Sequence, residues 1–176
     1  GFRIADLKKI INSMIEVFEQ ENIAVVGGDL KVMPKGKLDK IVISTVVIGK
    51  LVNQTLYLDS KVKPGDKIIV SGTVGDHGAV ITALQMGIEA EIGELISDCQ
   101  PVTKVMRIVR GFKGVHAAKD PTRGGLAMSL NEFASKSNVT IEIDEELIPV
   151  RSEVKALSEM LGIDPLILAC EGRVVL

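Results

Sequence analysis

The sequence predicts a mixed α+β protein built in two parts. Three observations lead there: helical periodicity over residues 4–21 and in four later stretches, short apolar runs bounded by glycine and proline that read as strands, and the polar turn KVKPGDK at 61–67. That turn separates a first block, residues 1–60, from a second, residues 61–176.

In the first block Ile4, Leu7, Ile10, Ile11, Met14, Ile15 and Phe18 recur at three- and four-residue spacing, which predicts an amphipathic helix with one buried face. The apolar runs at 23–28 and 40–49 read as strands joined by a loop holding Pro34 and Gly36. Beyond Tyr57, Pro64 and Gly65 lead into a strand at 67–72, followed by a glycine-rich turn and helices at about 77–88, 101–110 and 124–136. A strand at 139–143 and a helix at 151–161 come next, the helix stopping at Gly162 with Pro165 beyond. In the 124–136 helix Leu126, Leu130, Phe133 and Ala134 share one side, and the last helix presents Val154, Leu157 and Leu161. Residues 171–176 read as a strand.

The bulk numbers exclude several classes of function. A chain of 176 residues with 46% hydrophobic and 25% charged composition has a globular balance. Its formal charge of -2 arises from 21 basic and 23 acidic residues interspersed along the chain, so neither nucleic acid nor an anionic membrane is an expected partner. No apolar run approaches the roughly 20 residues that span a bilayer, and no signal segment opens the chain, which makes a cytoplasmic protein the expectation. Cys99 and Cys170 lack neighbouring metal ligands and read as buried, inert thiols. A first residue other than Met and a last strand that stops short give the expectation of a fragment.

Four short motifs carry residue types suited to chemistry. In GGDLKV at 27–32, Gly27 and Gly28 permit close approach of a ligand, Asp29 suits a magnesium ion and Lys31 suits phosphate or an oxyanion; a solvated strand-to-loop turn explains the same residues. In SGTVGDHG at 71–78, a strand, three glycines and a helix start suit an anion, with His77 as a donor; the spacing fits neither a Walker loop nor a dinucleotide fingerprint, and a tight turn with a surface histidine reads equally well. In DPTRGG at 120–125, Thr122 suits a helix cap and Arg123 could fork onto phosphate or carboxylate, or pair locally with Asp120. In CEGRV at 170–174, Glu171 stands among apolar neighbours, where desolvation would suit a general acid or base, unless it pairs with Arg173. His116 has no company and reads as a surface residue.

Together with the phrases ADLKKIINSM, PGDKIIVSGTVGDHG, SDCQPV, DPTRGGLAMSLNE, IPVRSEV and LGIDPLILACEG, these motifs resemble the HypE family of hydrogenase maturation proteins. That family lies within the aminoimidazole ribonucleotide synthetase and selenophosphate synthetase superfamily. The resemblance runs almost end to end, and the long phrases at 64–78 and 120–132 are its specific part.

What the resemblance implies is a fold of two α+β domains, the first pairing its strands with a second subunit in a dimeric barrel. Residues 1–60 would be the second half of the ATP-binding and dimerisation domain, and 61–176 the first part of the C-terminal domain. Glycine-rich and acidic N-terminal segments, and a C-terminal tail whose cysteine is the substrate, would lie outside these residues, leaving the 176 alone inactive. The implied reaction is ATP-dependent dehydration of a carbamoyl group on that cysteine to thiocyanate, the source of cyanide ligands for nickel–iron hydrogenase. By the same resemblance Asp29 serves Mg2+ and phosphate, Lys31 sits near the reacting amide, Glu171 takes a proton from its nitrogen, and Asp76 and His77 line a cleft between the domains. Expected partners are a second copy of the chain, the carbamoyltransferase HypF and the HypC–HypD assembly complex. Leu30, Lys119 and Cys170 depart from the threonine, arginine and asparagine common in the family, and the last adjoins the proposed base. Rival readings are a selenophosphate synthetase or thiamine monophosphate kinase type of enzyme, and a silent docking module for hydrogenase assembly factors.

Overall fold

The structure, a computed structural model, describes residues 2–51, 56–88 and 94–176. Its contacts divide the chain into two units, Gly1–Val52 and Asn53–Leu176. This division falls earlier than the boundary expected at 60, because the 3₁₀ turn Asp59–Lys61 is fastened to the second unit. There Ser137 Oγ donates to the Asp59 carbonyl at 2.7 Å and accepts from the Val62 amide at 3.1 Å.

The first unit holds helix α1 (Ile4–Gln20), opened by an Arg3–Asp6 ion pair of 2.7 Å with the acid in the first turn, where the helix dipole favours it. Asn22, at φ 56°, closes it in the left-handed region while Ile23 N–H returns to Phe18 O at 2.8 Å. The expected buried face is not realised within this unit: no α1 residue is buried, and Leu7, Ile10, Met14 and Phe18 are only half-buried. Pro34 and Gly36 make the expected turn, with Gly36 at φ 81° and Lys37 N–H bonded to Pro34 O at 3.1 Å. The runs at 23–28 and 40–49 differ from expectation, for they carry no ladder among the described residues. A strand exists only where a neighbour completes its hydrogen bonds, and here Val26 and Ile48 are 94% and 93% exposed.

In the second unit α2 (Asp76–Met86), α3 (Thr103–Val109), α4 (Gly125–Ser137) and α5 (Ser152–Leu161) follow the predicted spans closely. The strand expected at 67–72 and the chain end meet as a short antiparallel arrangement. Val175 bridges Val70 on one side and Lys119 on the other, with paired backbone bonds of 2.8–3.0 Å. The run at 139–143 forms no ladder among the described residues; instead Val139 N–H closes α4 at Ala134 O, 3.1 Å away. Leu126, Leu130 and Phe133 pack from α4 against Val74, Leu166 and Val175, and Val154 and Leu157 of α5 pack with Ala79, Ala83 and Leu168. Lys119 and Lys136 both bond Asp59 and Glu132, at 2.7–3.4 Å, tying the 3₁₀ turn to α4. Burial works to raise the Asp59 carboxyl, yet the bonds from Lys136 and Lys119 hold it below its ordinary range.

Both cores converge on residues 165–170, where glycine decides how near the helices come. Gly125 has φ 60°, and a Cβ on it would stand 2.5 Å from the carbonyl oxygens of Leu166 and Leu168. A Cβ on Gly78 would stand 2.6 Å from the Ala169 nitrogen. The glycines of the second and third motifs therefore seat the first turns of α2 and α4 on this segment, a use of glycine for close approach between backbones.

Candidate functional site

The segment that carries Glu171 is held along its length. Asp164 caps the 3₁₀ turn Pro165–Ile167 by accepting from Leu166 N–H at 2.8 Å. Next, Gly78 N–H donates to Ala169 O at 2.9 Å, Cys170 N–H donates to Pro121 O at 3.0 Å, and Gly75 N–H donates to Cys170 Sγ at 3.2 Å. Burial pushes the Cys170 thiol up to about 11, with the Gly75 bond working against it. Glu171 N–H then donates to Asp98 Oδ1 at 3.1 Å, while the Glu171 side chain is exposed.

Arg173 turns the chain back inward. Its Nε donates to Thr73 O at 2.9 Å and its Nη2 to Asp76 Oδ2 at 3.2 Å, and Nε lies 3.7 Å from Asp98 Oδ2. Thr73 Oγ1 also donates to Asp76 Oδ2, and Arg151 Nε lies 3.5 Å from Asp76 Oδ1. Both aspartate side chains are wholly inaccessible. Two carboxylates and two guanidinium groups thus balance their charge, which is the condition for keeping ions out of water.

Several expected residues sit differently from the sequence reading. Glu171 is exposed rather than poorly solvated: Leu168 and Val174 are buried, but the carboxylate is not, and Arg173 pairs with Asp76 and Asp98 in its place. Asp76, expected beside a nucleotide, is an interior ion whose oxygens face Thr73, Arg173 and Arg151. The start of α2 offers an anion little, because Gly75 and Gly78 spend their N–H groups on Cys170 and Ala169 and the Asp76 charge already occupies that end. His77 is half-buried, with Nδ1 2.9 Å from Ser97 Oγ. Thr122 does not cap α4 with its side chain; its carbonyl accepts from Gly125 N–H at 3.2 Å and Gly124 is the cap. Arg123 and Asp120 are both exposed. His116, read as a lone surface residue, is half-buried with Nδ1 2.8 Å from Asp66 Oδ2.

Asp29 and Lys31 belong to the first unit, where they form an open pair at 3.7 Å with side chains 75% and 83% exposed. Gly27 and Gly28 have nothing within 4 Å of a Cβ position, so backbone there is open to a ligand. One exposed carboxylate beside one ammonium fits a Mg2+ ion that arrives on a nucleotide, since magnesium takes one or two carboxylates and completes its shell with phosphate and water. A preformed cage does not fit: among the described residues no group of three or more His, Cys, Asp and Glu is placed to hold a metal. The structure links Asp76, His77 and Glu171 through Arg173, read in the sequence only as a partner for Glu171, and through Thr73, Ser97 and Asp98, which sequence reasoning missed. One signal was available, the lone charge of Arg173 at the head of the apolar run Val174–Leu176, which needs an interior partner.

Residues 63–176 match the family described as AIR synthase related protein, C-terminal domain. The chain belongs to the AIR synthase-related family. Within it, this AIR synthase-related chain is 41% identical over 177 residues to the carbamoyl dehydratase HypE of Bradyrhizobium diazoefficiens, covering 99% of the chain and 51% of the relative. A crystal structure of the hydrogenase maturation protein HypE in complex with ATP superposes with a TM-score of 0.85 and 32% identity, covering 99% of this chain and 52% of that one. A HypE–HypF complex gives 0.89 and 34%, with coverage of 99% and 57%. A thiamine-monophosphate kinase from Stenotrophomonas maltophilia covers only 68% of this chain and 41% of its own, at a TM-score of 0.52 and 25% identity. The chain spans about half the length of the known relatives it matches. Among the described residues no helix is long and apolar enough to cross a membrane.

Proposed function

We propose that this chain is part of an ATP-dependent carbamoyl dehydratase of the HypE type, which converts a carbamoyl group on its own C-terminal cysteine to thiocyanate. The observation that carries this reading is similarity to HypE proteins along 99% of the chain, against 68% for the thiamine-monophosphate kinase. In the proposed reaction the amide oxygen receives the terminal phosphoryl group of ATP. Loss of the two nitrogen protons and departure of phosphate then leave the carbon–nitrogen triple bond. Glu171 is the base for a nitrogen proton, suited to the task by exposure at the tip of a tightly held segment. Lys31 offsets negative charge near the amide, Asp29 serves nucleotide-borne Mg2+, Gly27 and Gly28 let the backbone approach the phosphates, and Arg123 and His77 supply donors.

The HypE proteins solved with ATP and with HypF support ATP as co-substrate and a HypF-type carbamoyltransferase as the partner that loads the cysteine. A homodimer, a HypC–HypD-type acceptor and a cytoplasmic location complete the proposal. Its test is to load the full-length protein with carbamoyl at the tail cysteine, add ATP and weigh the tail. Loss of one water with release of phosphate is the expected result. Phosphoryl transfer to a small molecule with the tail unchanged overturns the reading in favour of a kinase.

A further inference from the structure

We infer that Asp98 is a positioning residue that fixes Glu171, and that with Ser97 it makes residues 97–98 the bracket for both Glu171 and the half-buried His77. The inference rests on the role proposed for Glu171. The Asp98 side chain is inaccessible to solvent, and its Oδ1 accepts the Glu171 amide at 3.1 Å. A buried carboxylate costs too much to serve as a simple backbone acceptor unless it is itself compensated, and Arg173 supplies the compensation with Nε at 3.7 Å from Oδ2. Arg173 in turn is fixed by Thr73 O and Asp76, so the ion that holds Glu171 is anchored to the start of α2. Gly172 lies against the Asp98 carbonyl so closely that no side chain fits there, so the chain beside Glu171 is packed directly on residue 98. One residue earlier, Ser97 Oγ meets His77 Nδ1 at 2.9 Å and accepts from Cys99 N–H at 3.1 Å. An exposed glutamate on a free loop would sample many positions; tying its amide to a buried ion removes that freedom before substrate arrives.

The test uses the full-length protein and the variants D98A, D98N and D98S. Asparagine keeps an acceptor for the Glu171 amide, whereas alanine has none and the serine hydroxyl stops short of it. Expected for D98A is a turnover loss of roughly 10²-fold, the scale of a misplaced catalytic group, with KM for ATP within about twofold. D98N recovers most of the rate. In an E171Q background D98A costs nothing further, because a residue acting through Glu171 has nothing left to act on. Amide hydrogen exchange at Glu171 is faster in D98A by tenfold or more and close to parental in D98N, with α4 and α5 unchanged. Should D98A fail to fold, D98S takes its place throughout. Parental exchange and turnover in D98A, or an undiminished D98A loss in the E171Q background, overturns the inference. A parent protein with no dehydratase activity overturns the proposed function instead, and the exchange measurement still decides whether Asp98 holds Glu171.

Discussion

At the scale of single residues, sequence neighbours are a poor guide to solvation. Leu168 and Val174 are buried, and a reading from adjacency alone puts Glu171 in the same medium, yet its carboxylate is exposed. In the proposed reaction its suitability as a base then rests on being held in place. Glu171→Gln keeps the shape and removes the base, so turnover of the full-length protein should fall by roughly 10²–10⁴ while ATP binding, measured by calorimetry, stays near parental. A Gln variant at the parental rate would make Glu171 structural. Cys170, its neighbour, is the opposite case: fully buried and held neutral, against an exposed Cys99. Alkylation under native conditions at neutral pH should therefore label Cys99 and spare Cys170 until the protein unfolds. The linkage has a definite sign. The folded thiol titrates at about 11 against an ordinary 9.0, so its contribution to stability is complete below pH 9 and is lost as pH rises through about 11. In a Cys170→Ala protein the alkaline decline between those values should be shallower.

At the scale of elements, the helices were legible and the ladders were not. Apolar side chains at three- and four-residue spacing in α4 and α5 mark Leu130, Phe133, Val154 and Leu157, and the structure has all four in the core. A ladder depends on a partner elsewhere in the chain, and Val70, Lys119 and Val175 pair across separations that no local pattern encodes. The same distance hid half of the candidate site, since Arg173 meets Thr73 and Asp76 about a hundred positions away. Glycines were visible, but their purpose was not: Gly125 of DPTRGG serves both a left-handed backbone and a close approach to the chain's own carbonyls. Substitution separates the two uses. Gly125→Ala and Gly162→Ala both place a side chain on left-handed backbone, at φ 60° and 64°, which costs about 1–2 kcal/mol. Only Gly125 also meets backbone at 2.5 Å, for which overpacking adds roughly 1–3 kcal/mol. Urea unfolding should show Gly125→Ala as the more destabilised by about that second amount. Equal losses would mean that the α4 start does not need this approach.

At the scale of the whole molecule, the first unit exposes a large apolar surface. Val26, Val46 and Ile48 are each more than nine-tenths exposed, Val47 three-quarters, and they lie in the two runs that the sequence marks as strands. A chain does not keep such runs in water without cost: extended apolar segments with unpaired backbone groups are templates for another chain. Burying one aliphatic side chain of this size contributes about 1.5–3 kcal/mol. In a two-fold interface each residue counts twice, so four such residues bring roughly 12–24 kcal/mol, against an association cost of roughly 4–15 kcal/mol. The balance favours a second copy of the chain as the partner that completes the ladders. Sedimentation of the full-length protein should then show a dimer at micromolar concentration. Val26→Asp combined with Val47→Asp should shift it to monomer, since each carboxylate would have to enter the interface unpaired. The dimer should persist in high salt, because apolar burial is not screened as ion pairs are. A monomer at every concentration, or a dimer untouched by both substitutions, would mean that these runs are covered by something other than a second copy.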